Sequence, residues 1–182
     1  GNDGVETINN SGRILGAISL YGGDDVFSNK AGGTWDVGSN LSTDFGDGND
    51  TLANAGGGTI TLNAGQIAFG AGDDTINNAG LVRLTDSTIT MGDGQAGPVP
   101  TLAMLPQAVE ANAFNNSGTL DIVGNSAIDT AGGTFTNTGL VDFVNGAITD
   151  ALTVDGTLAG SGQMAIDVNF NDLTADQLVI NG

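Results

Sequence analysis

Phe45-Gly46-Asp47-Gly48-Asn49-Asp50-Thr51-Leu52-Ala53-Asn54-Ala55-Gly56 returns one unit later as Phe69-Gly70-Ala71-Gly72-Asp73-Asp74-Thr75-Ile76-Asn77-Asn78-Ala79-Gly80. A shorter relative, Tyr21-Gly22-Gly23-Asp24-Asp25-Val26-Phe27-Ser28-Asn29, precedes both, and the core apolar-x-Asn-x-Gly also stands at Ile8–Gly12, Phe114–Gly118 and Phe135–Gly139. Self-similarity at a period of about 20 to 50 residues means stacked units rather than a closed globule. With the Asn as marker, the series is Asn10, Asn29, Asn54, Asn78, Asn116 and Asn137, in steps of 19, 25, 24, 38 and 21 residues. After Asn137 the same position is read at Val154, inside Leu152-Thr153-Val154-Asp155-Gly156, where the Asn series ends.

Within each unit the residues after the Gly alternate. Trp35 and Val37 are followed by Leu41 and Phe45; Ile60 and Leu62 by Ile67 and Phe69; Val82 and Leu84 by Ile89 and Met91. Period-2 alternation over four or five residues predicts short strands with one buried face. Each unit offers about three such strands, and residues that recur once per unit pair best with their equivalents above and below. The expected fold is all-β, a single-stranded parallel β-helix, or β-solenoid, of about seven coils. Phe27, Leu52, Ile76, Phe114, Phe135 and Leu152 are expected to align as one interior column.

The repeated Asn is read as structural. An amide carries both donors and an acceptor, so equivalent side chains on successive turns can bond to one another and to turn backbone.

Composition agrees with a thin aliphatic core: 39% of the 182 residues are hydrophobic, only 5% are aromatic, and 31 are Gly. The 21 acidic residues face three basic ones, Arg13, Lys30 and Arg83, for a formal charge of −18. Such a surface repels phosphate backbones and anionic headgroups, which excludes nucleic acid as a partner class. Without Cys there is no disulfide framework, and no apolar run approaches the ~20 residues of a membrane helix. The chain opens in mid-repeat at Gly1-Asn2-Asp3-Gly4, so a longer parent chain is expected.

The 38-residue step contains an insertion that holds all three prolines, Pro98, Pro100 and Pro106. Proline cannot donate to a ladder, so this piece should leave the coil pattern as a loop. It carries apolar Leu102, Met104 and Leu105, and is either a contact surface or a flap over one strip of the helix. The expected organisation is one continuous solenoid: coils over 1–91, the loop over 92–112, coils again over 113–151, and C-terminal coils over 152–182.

Those last coils carry a family resemblance. Leu158-Ala159-Gly160-Ser161-Gly162-Gln163-Met164, an alternating strand to Phe170, and Ala175-Asp176-Gln177-Leu178-Val179-Ile180-Asn181-Gly182 resemble the C-terminal end of autotransporter passenger domains of the pertactin-like group. The resemblance implies a right-handed helix, C-terminal coils that assist folding after secretion, and an outer-membrane β-barrel in the full-length protein. It also implies display on, or secretion from, the surface of a Gram-negative bacterium. The function expected from it is a structural stalk and adhesin with no enzymatic role, meeting a protein or glycan receptor on a host or neighbouring cell.

Two alternatives come from the same residues. Gly46-Asp47-Gly48-Asn49-Asp50-Thr51-Leu52 and Gly70-Ala71-Gly72-Asp73-Asp74-Thr75-Ile76 resemble most of an RTX nonapeptide, which would make Asp50 and Asp74 calcium ligands of a β-roll module. The turns recur once per 24 or 25 residues, whereas RTX rolls place two nonapeptides in a coil of roughly 18, and Phe45 and Phe69 stand where that motif begins with Gly. No cofactor is therefore expected, with calcium as the alternative. Histidine is absent, which removes Ser-His-Asp and Cys-His catalysis from these 182 residues. A carbohydrate-active β-helix using two carboxylates is the other alternative.

Overall fold

The computed structural model describes residues 4–92 and 110–182, which are all-β and without a helix. The strands fall into three rows. The first holds β1 (Thr7–Asn10), β3 (Val26–Asn29), β6 (Thr51–Asn54), β9 (Thr75–Asn78), β12 (Ala113–Asn116) and the far end of β14 (Asn125–Asn137). The second holds β2 (Arg13–Leu15), β4 (Thr34–Ser39), β7 (Thr59–Asn63), β10 (Leu81–Thr85), β13 (Thr119–Val123), β15 (Leu140–Asp142) and β17 (Gln163–Ala165). The third holds β5 (Ser42–Asp44), β8 (Gln66–Ala68), β11 (Thr88–Thr90), the near end of β14, β16 (Ala151–Ala159) and β20 (Gln177–Asn181).

Every neighbour within a row is parallel and pairs with its equivalent one turn away, as in Phe27↔Leu52↔Ile76↔Phe114↔Phe135. This is a β-solenoid of about six turns, against the seven expected. β14 and β16 each run through the third row into the first, so these two rows form one eleven-stranded sheet. A small antiparallel pair, β18 (Val168–Asn169) with β19 (Thr174–Ala175), stands outside the rows.

The interior is a continuous stack of fully buried side chains, among them Trp35, Phe27, Phe45, Phe69, Phe114, Phe135 and Phe143. Phe45 and Phe69 stack with ring centroids 4.4 Å apart, and Phe114 meets Phe135 edge-on at 5.3 Å. Such ring geometries add about 0.5–1.5 kcal/mol each beyond area burial.

Glycine sets the corner where the third row hands over to the first. Gly48 and Gly72 have φ of 145° and 144°, and a Cβ on Gly72 would overlap the carbonyl of Gly48 one turn below. Only a residue without Cβ satisfies both conditions at once. The corner between the second and third rows uses another solution, a column of left-handed residues at Asn40, Ala64, Asp86 and Gly124. Ala64 N–H bonds Thr85 O at 2.8 Å and Asp86 N–H bonds Val123 O at 3.0 Å, which holds the non-glycine members in that conformation.

Four details depart from the sequence reading. In register, Phe135 is followed by Leu158, which is 41% exposed where the interior column ends, and not by Leu152, which is buried in the third row between Ser126 and Leu178. Gly160, not Val154, comes after Asn137 in the ladder position: Thr136 pairs with Ala159, the next residue along, and Gly160 sits against the Asn137 backbone. The Gly-Asp turn that marks the earlier units is missing here. Gly156, at φ 138°, replaces it with a bend inside β16, as Ala131 and Gly132 do one turn earlier inside β14, so counting from Asn137 lands in the third row.

Leu41 is 42% exposed, and Thr43 occupies the interior slot beside Ile67. Its hydroxyl accepts the Ile18 N–H at 3.2 Å, so this polar side chain is buried with a partner. The strand expected from Met164 to Phe170 is broken between β17 and β18, where Asp167 N–H donates to Asp176 Oδ2 at 2.7 Å.

Candidate functional site

Alternation along the first row sends every second residue inward. In β6 these are Leu52 and Asn54, and the same parity carried back across the turn reaches Asp50. The inner face therefore carries two polar columns with an apolar one between them.

The first is the amide ladder. Nδ2 of Asn10, Asn29, Asn54, Asn78 and Asn116 donates to Oδ1 of the next Asn in the series, each time at 2.8 Å, ending at Asn137. The same nitrogens reach a strand carbonyl, as Asn54 does to Leu81 O at 3.0 Å and Asn78 to Thr119 O at 3.0 Å. Glycines beside the ladder leave room for this: a Cβ at Gly58 would strike the Asn54 and Asn29 amides, and one at Gly80 the Asn54 amide and the carbonyls of Gly58 and Ala55.

The second column is acidic. Glu6 N–H donates to Asp25 Oδ1 at 2.6 Å, Asp25 N–H to Asp50 Oδ1 at 2.8 Å, Asp50 N–H to Asp74 Oδ1 at 2.9 Å, and Asp74 N–H to Asn112 Oδ1 at 2.7 Å. Asp25, Asp50 and Asp74 are at most 1% exposed. Among the described residues, one carboxyl oxygen of each, and Oε2 of Glu6, is buried with no hydrogen-bond partner. Asp25, Asp50 and Asp74 lie in the Gly-Asp turns yet point into the solenoid, while their neighbours Asp24 and Asp73 stay outside. Those neighbours form an exposed rail of their own, in which Asp24 accepts from Asn49 N–H, Asn49 from Asp73 N–H and Asp73 from Ala111 N–H, each at 2.8 Å.

Burial is the main cause that pushes the Asp50 carboxyl up to about 6, with the charges of Asp25, Asp24 and Asp44 adding to it against the Asp25 N–H bond. Asp74 is pushed up to about 7, again first by burial, with the charges of Asp50 and Glu110 adding, and the Asp50 N–H bond and the nearby Gly92 backbone opposing. Glu6 is also raised, by desolvation and then by its hydrogen bond and charge contact with Asp25. Further along the solenoid the same kind of residue is fully satisfied. Asp150 accepts from Gly124 N–H and Asn145 Nδ2, and Asp176 from Asp150 N–H and Asp167 N–H.

The turn residues that resemble an RTX repeat thus have one oxygen engaged with the neighbouring turn's backbone and the other enclosed. Among the described residues, no group of three or more His, Cys, Asp or Glu is placed to hold a metal ion. Phe45 and Phe69, which replace the leading Gly of that repeat, are interior residues of the aromatic stack.

Pro98, Pro100, Leu102, Met104, Leu105 and Pro106 of the expected contact loop lie outside the described residues. Both flanks of the insertion sit at the Gly-Asp corner: Gly92 bridges Gly70, and Glu110 accepts the Gly72 N–H at 3.2 Å. Open grooves among the described residues include two with acidic or polar linings. One, of about 430 Å³, is lined by Asn40, Ser42, Gln66, Asp86 and Thr88 beside the left-handed corner; the other, of about 530 Å³, includes Asp129 and Asp155.

Comparison with known proteins adds a sequence likeness to this geometry. In an alignment 125 residues long that covers 57% of the chain, it is 32% identical to a protein of Escherichia coli (strain K12) described as the probable autotransporter YfaL, and the match spans 9% of that protein. No family model matches the chain. No solved structure matches it either. The sequence likeness and the stacked parallel architecture together fit a fragment of an autotransporter passenger domain.

Proposed function

We propose that this chain is a length of stalk in a surface-displayed passenger domain, holding an adhesive surface away from the cell, with its last coils assisting folding after secretion. The observation that carries this reading is the amide ladder, whose five 2.8 Å bonds run without a gap from Asn10 to Asn137. Each turn presents the next with both hydrogen-bond partners and an apolar platform, so a growing end templates the turn that stacks on it. A rod built this way can extend by repetition and is stiff along its axis. Nothing in that role calls for catalysis, and the reading is non-enzymatic.

The partner is a protein or glycan receptor on a host or neighbouring cell, with an outer-membrane β-barrel in the full-length protein. The location is the surface of a Gram-negative bacterium or the medium beyond it. Two candidate contact surfaces are the 92–112 insertion and the flat outer faces of the rows. The resemblance of residues 158–182 to passenger C-termini supports the folding role.

The test is display of the chain on a heterologous outer-membrane barrel, with attachment of the displaying cells as one readout and refolding of the purified chain as the other. Attachment above that of the barrel alone, and slowed refolding when residues 152–182 are removed, support the reading. Attachment equal to the bare barrel overturns the adhesive part, and unchanged refolding overturns the folding role.

A further inference from the structure

The acid column is more than a set of repeated turns. An ionised carboxylate enclosed in protein needs donors or a cation for both oxygens, and leaving a buried polar atom unpaired is costly. Asp150 and Asp176 meet that need with donors on both oxygens. Asp25, Asp50 and Asp74 do not. The chain itself shows which group fits: in the next turn of the column the residue is Asn112, whose Oδ1 plays the same part toward Asp74 N–H. Its second terminal atom is a hydrogen-bearing nitrogen that donates to Glu110 Oε2 at 3.2 Å. The position accepts an uncharged group with a hydrogen where aspartate has an oxygen.

We propose that the column Glu6–Asp25–Asp50–Asp74 is a proton-binding site inside the solenoid, with Asp50 and Asp74 held as neutral carboxylic acids, so that these turns tighten in mild acid and loosen when the two carboxyls ionise. The charged groups among the described residues that bear most on the two carboxyls are acidic. Asp25, Asp24 and Asp44 act on Asp50, and Asp50 and Glu110 act on Asp74. The ion pair between Arg83 and Asp121 lies in the second row, on β10 and β13, away from the column. Ionising both carboxyls would place two charges on consecutive turns with no counter-charge, and like charges at that spacing repel. A proton on each removes the repulsion. It needs no more room than the hydrogens of the Asn112 amide. The site is independent of the stalk reading, because it rests on burial and hydrogen bonding alone.

The experiment compares thermal unfolding of the 182-residue chain at about pH 5 and about pH 8 with that of the double variant Asp50→Asn/Asp74→Asn and of an exposed control, Asp47→Asn/Asp73→Asn. Each protein is measured in EDTA and again in millimolar calcium chloride. The parent and the control are expected to melt lower at the higher pH. The buried double variant should lose most of that pH dependence and melt above the parent at about pH 8. If its pH profile runs parallel to the parent's, the proposal fails. It fails equally if calcium raises the parent's midpoint at the higher pH and not the variant's, since the column would then be a metal site. Should the variant not fold, carboxyl carbon resonances of the labelled parent decide the matter: two aspartates titrating well above the exposed ones support the proton site, and none doing so overturns it.

Discussion

The backbone N–H of Asp50 donates to Oδ1 of Asp74 across one turn at 2.9 Å, while the second oxygen of both carboxyls is enclosed without a partner. Backbone pairing and the cost of a buried charge therefore act on the same two residues in opposite directions. Burial prevails, since Asp50 is pushed up to about 6 and Asp74 to about 7.

These raised values imply a proton count on folding. An unfolded Asp titrates near ~3.9, so between about pH 4 and pH 7 the folded chain holds more protons at these two sites than the unfolded chain. Their contribution to stability is full below about pH 4 and is lost as pH rises through the folded values. At about pH 6, unfolding should release roughly one to two protons from the pair. Calorimetry in two buffers of different ionisation heat measures the release directly; no buffer dependence would mean that both carboxyls are already ionised.

The amide ladder makes a second, independent prediction. Replacing Asn54 by Leu removes the donor to Asn78 Oδ1 and the acceptor for Asn29 Nδ2, and leaves the Leu81 carbonyl without its 3.0 Å side-chain partner. Unpaired buried groups of this kind cost about 1–3 kcal/mol. Asn137 ends the ladder: it accepts from Asn116 Nδ2 but donates only an exposed 3.3 Å bond to Gln163 O, so Asn137→Leu should cost less. Denaturant unfolding of the two variants, compared at equal slope, checks the order.

Much of this arrangement was legible in the sequence. The apolar-x-Asn-x-Gly recurrence identified a parallel solenoid and the positions of the ladder, because an in-register stack repeats a side chain once per turn. The acid column was legible too, by the same parity. Asp25-x-Phe27-x-Asn29, Asp50-x-Leu52-x-Asn54 and Asp74-x-Ile76-x-Asn78 step by two, which puts all three residues of each set on one face. Reading the Asp as part of a glycine turn hid that signal. Glu6 and Asn112 occupy the same register and complete the column. The misplacement of Leu152 had a different cause. There the turn signature itself is lost, and nothing local distinguishes a bend within a long strand from a new turn.

The interior aromatic stack separates core from surface at two apolar positions. Phe69 is fully buried with its ring 4.4 Å from that of Phe45 and nearly parallel to it, at 15°. Phe69→Ala should cost about 3–5 kcal/mol through lost burial and the cavity left behind. Leu41, which the alternation of its unit assigns to the interior, is exposed, and Leu41→Ala should stay within about 0.5 kcal/mol of the parent. Equal losses for the two would place Leu41 back in the core and contradict the register of β5.

The insertion offers the last prediction, and its geometry makes removal straightforward. Gly92 is the equivalent of Gly70, Ala111 N–H bonds Asp73 Oδ1 at 2.8 Å, and Asn112 stands over Asp74, so both flanks keep their places on the turn below. Deleting Gly94 to Gln107 takes out 14 residues and reduces the 38-residue step from Asn78 to Asn116 to 24, the step already found between Asn54 and Asn78. The chain left between Gly92 and Asn112 is two residues longer than the Gly70–Asp74 turn, ample to close without strain. The deletion variant should keep its β-sheet circular dichroism and unfold within about 1 kcal/mol of the parent, because long surface insertions contribute little to stability. A larger loss would show that the insertion covers part of the solenoid, whereas an intact fold with weakened cell attachment would assign it to contact.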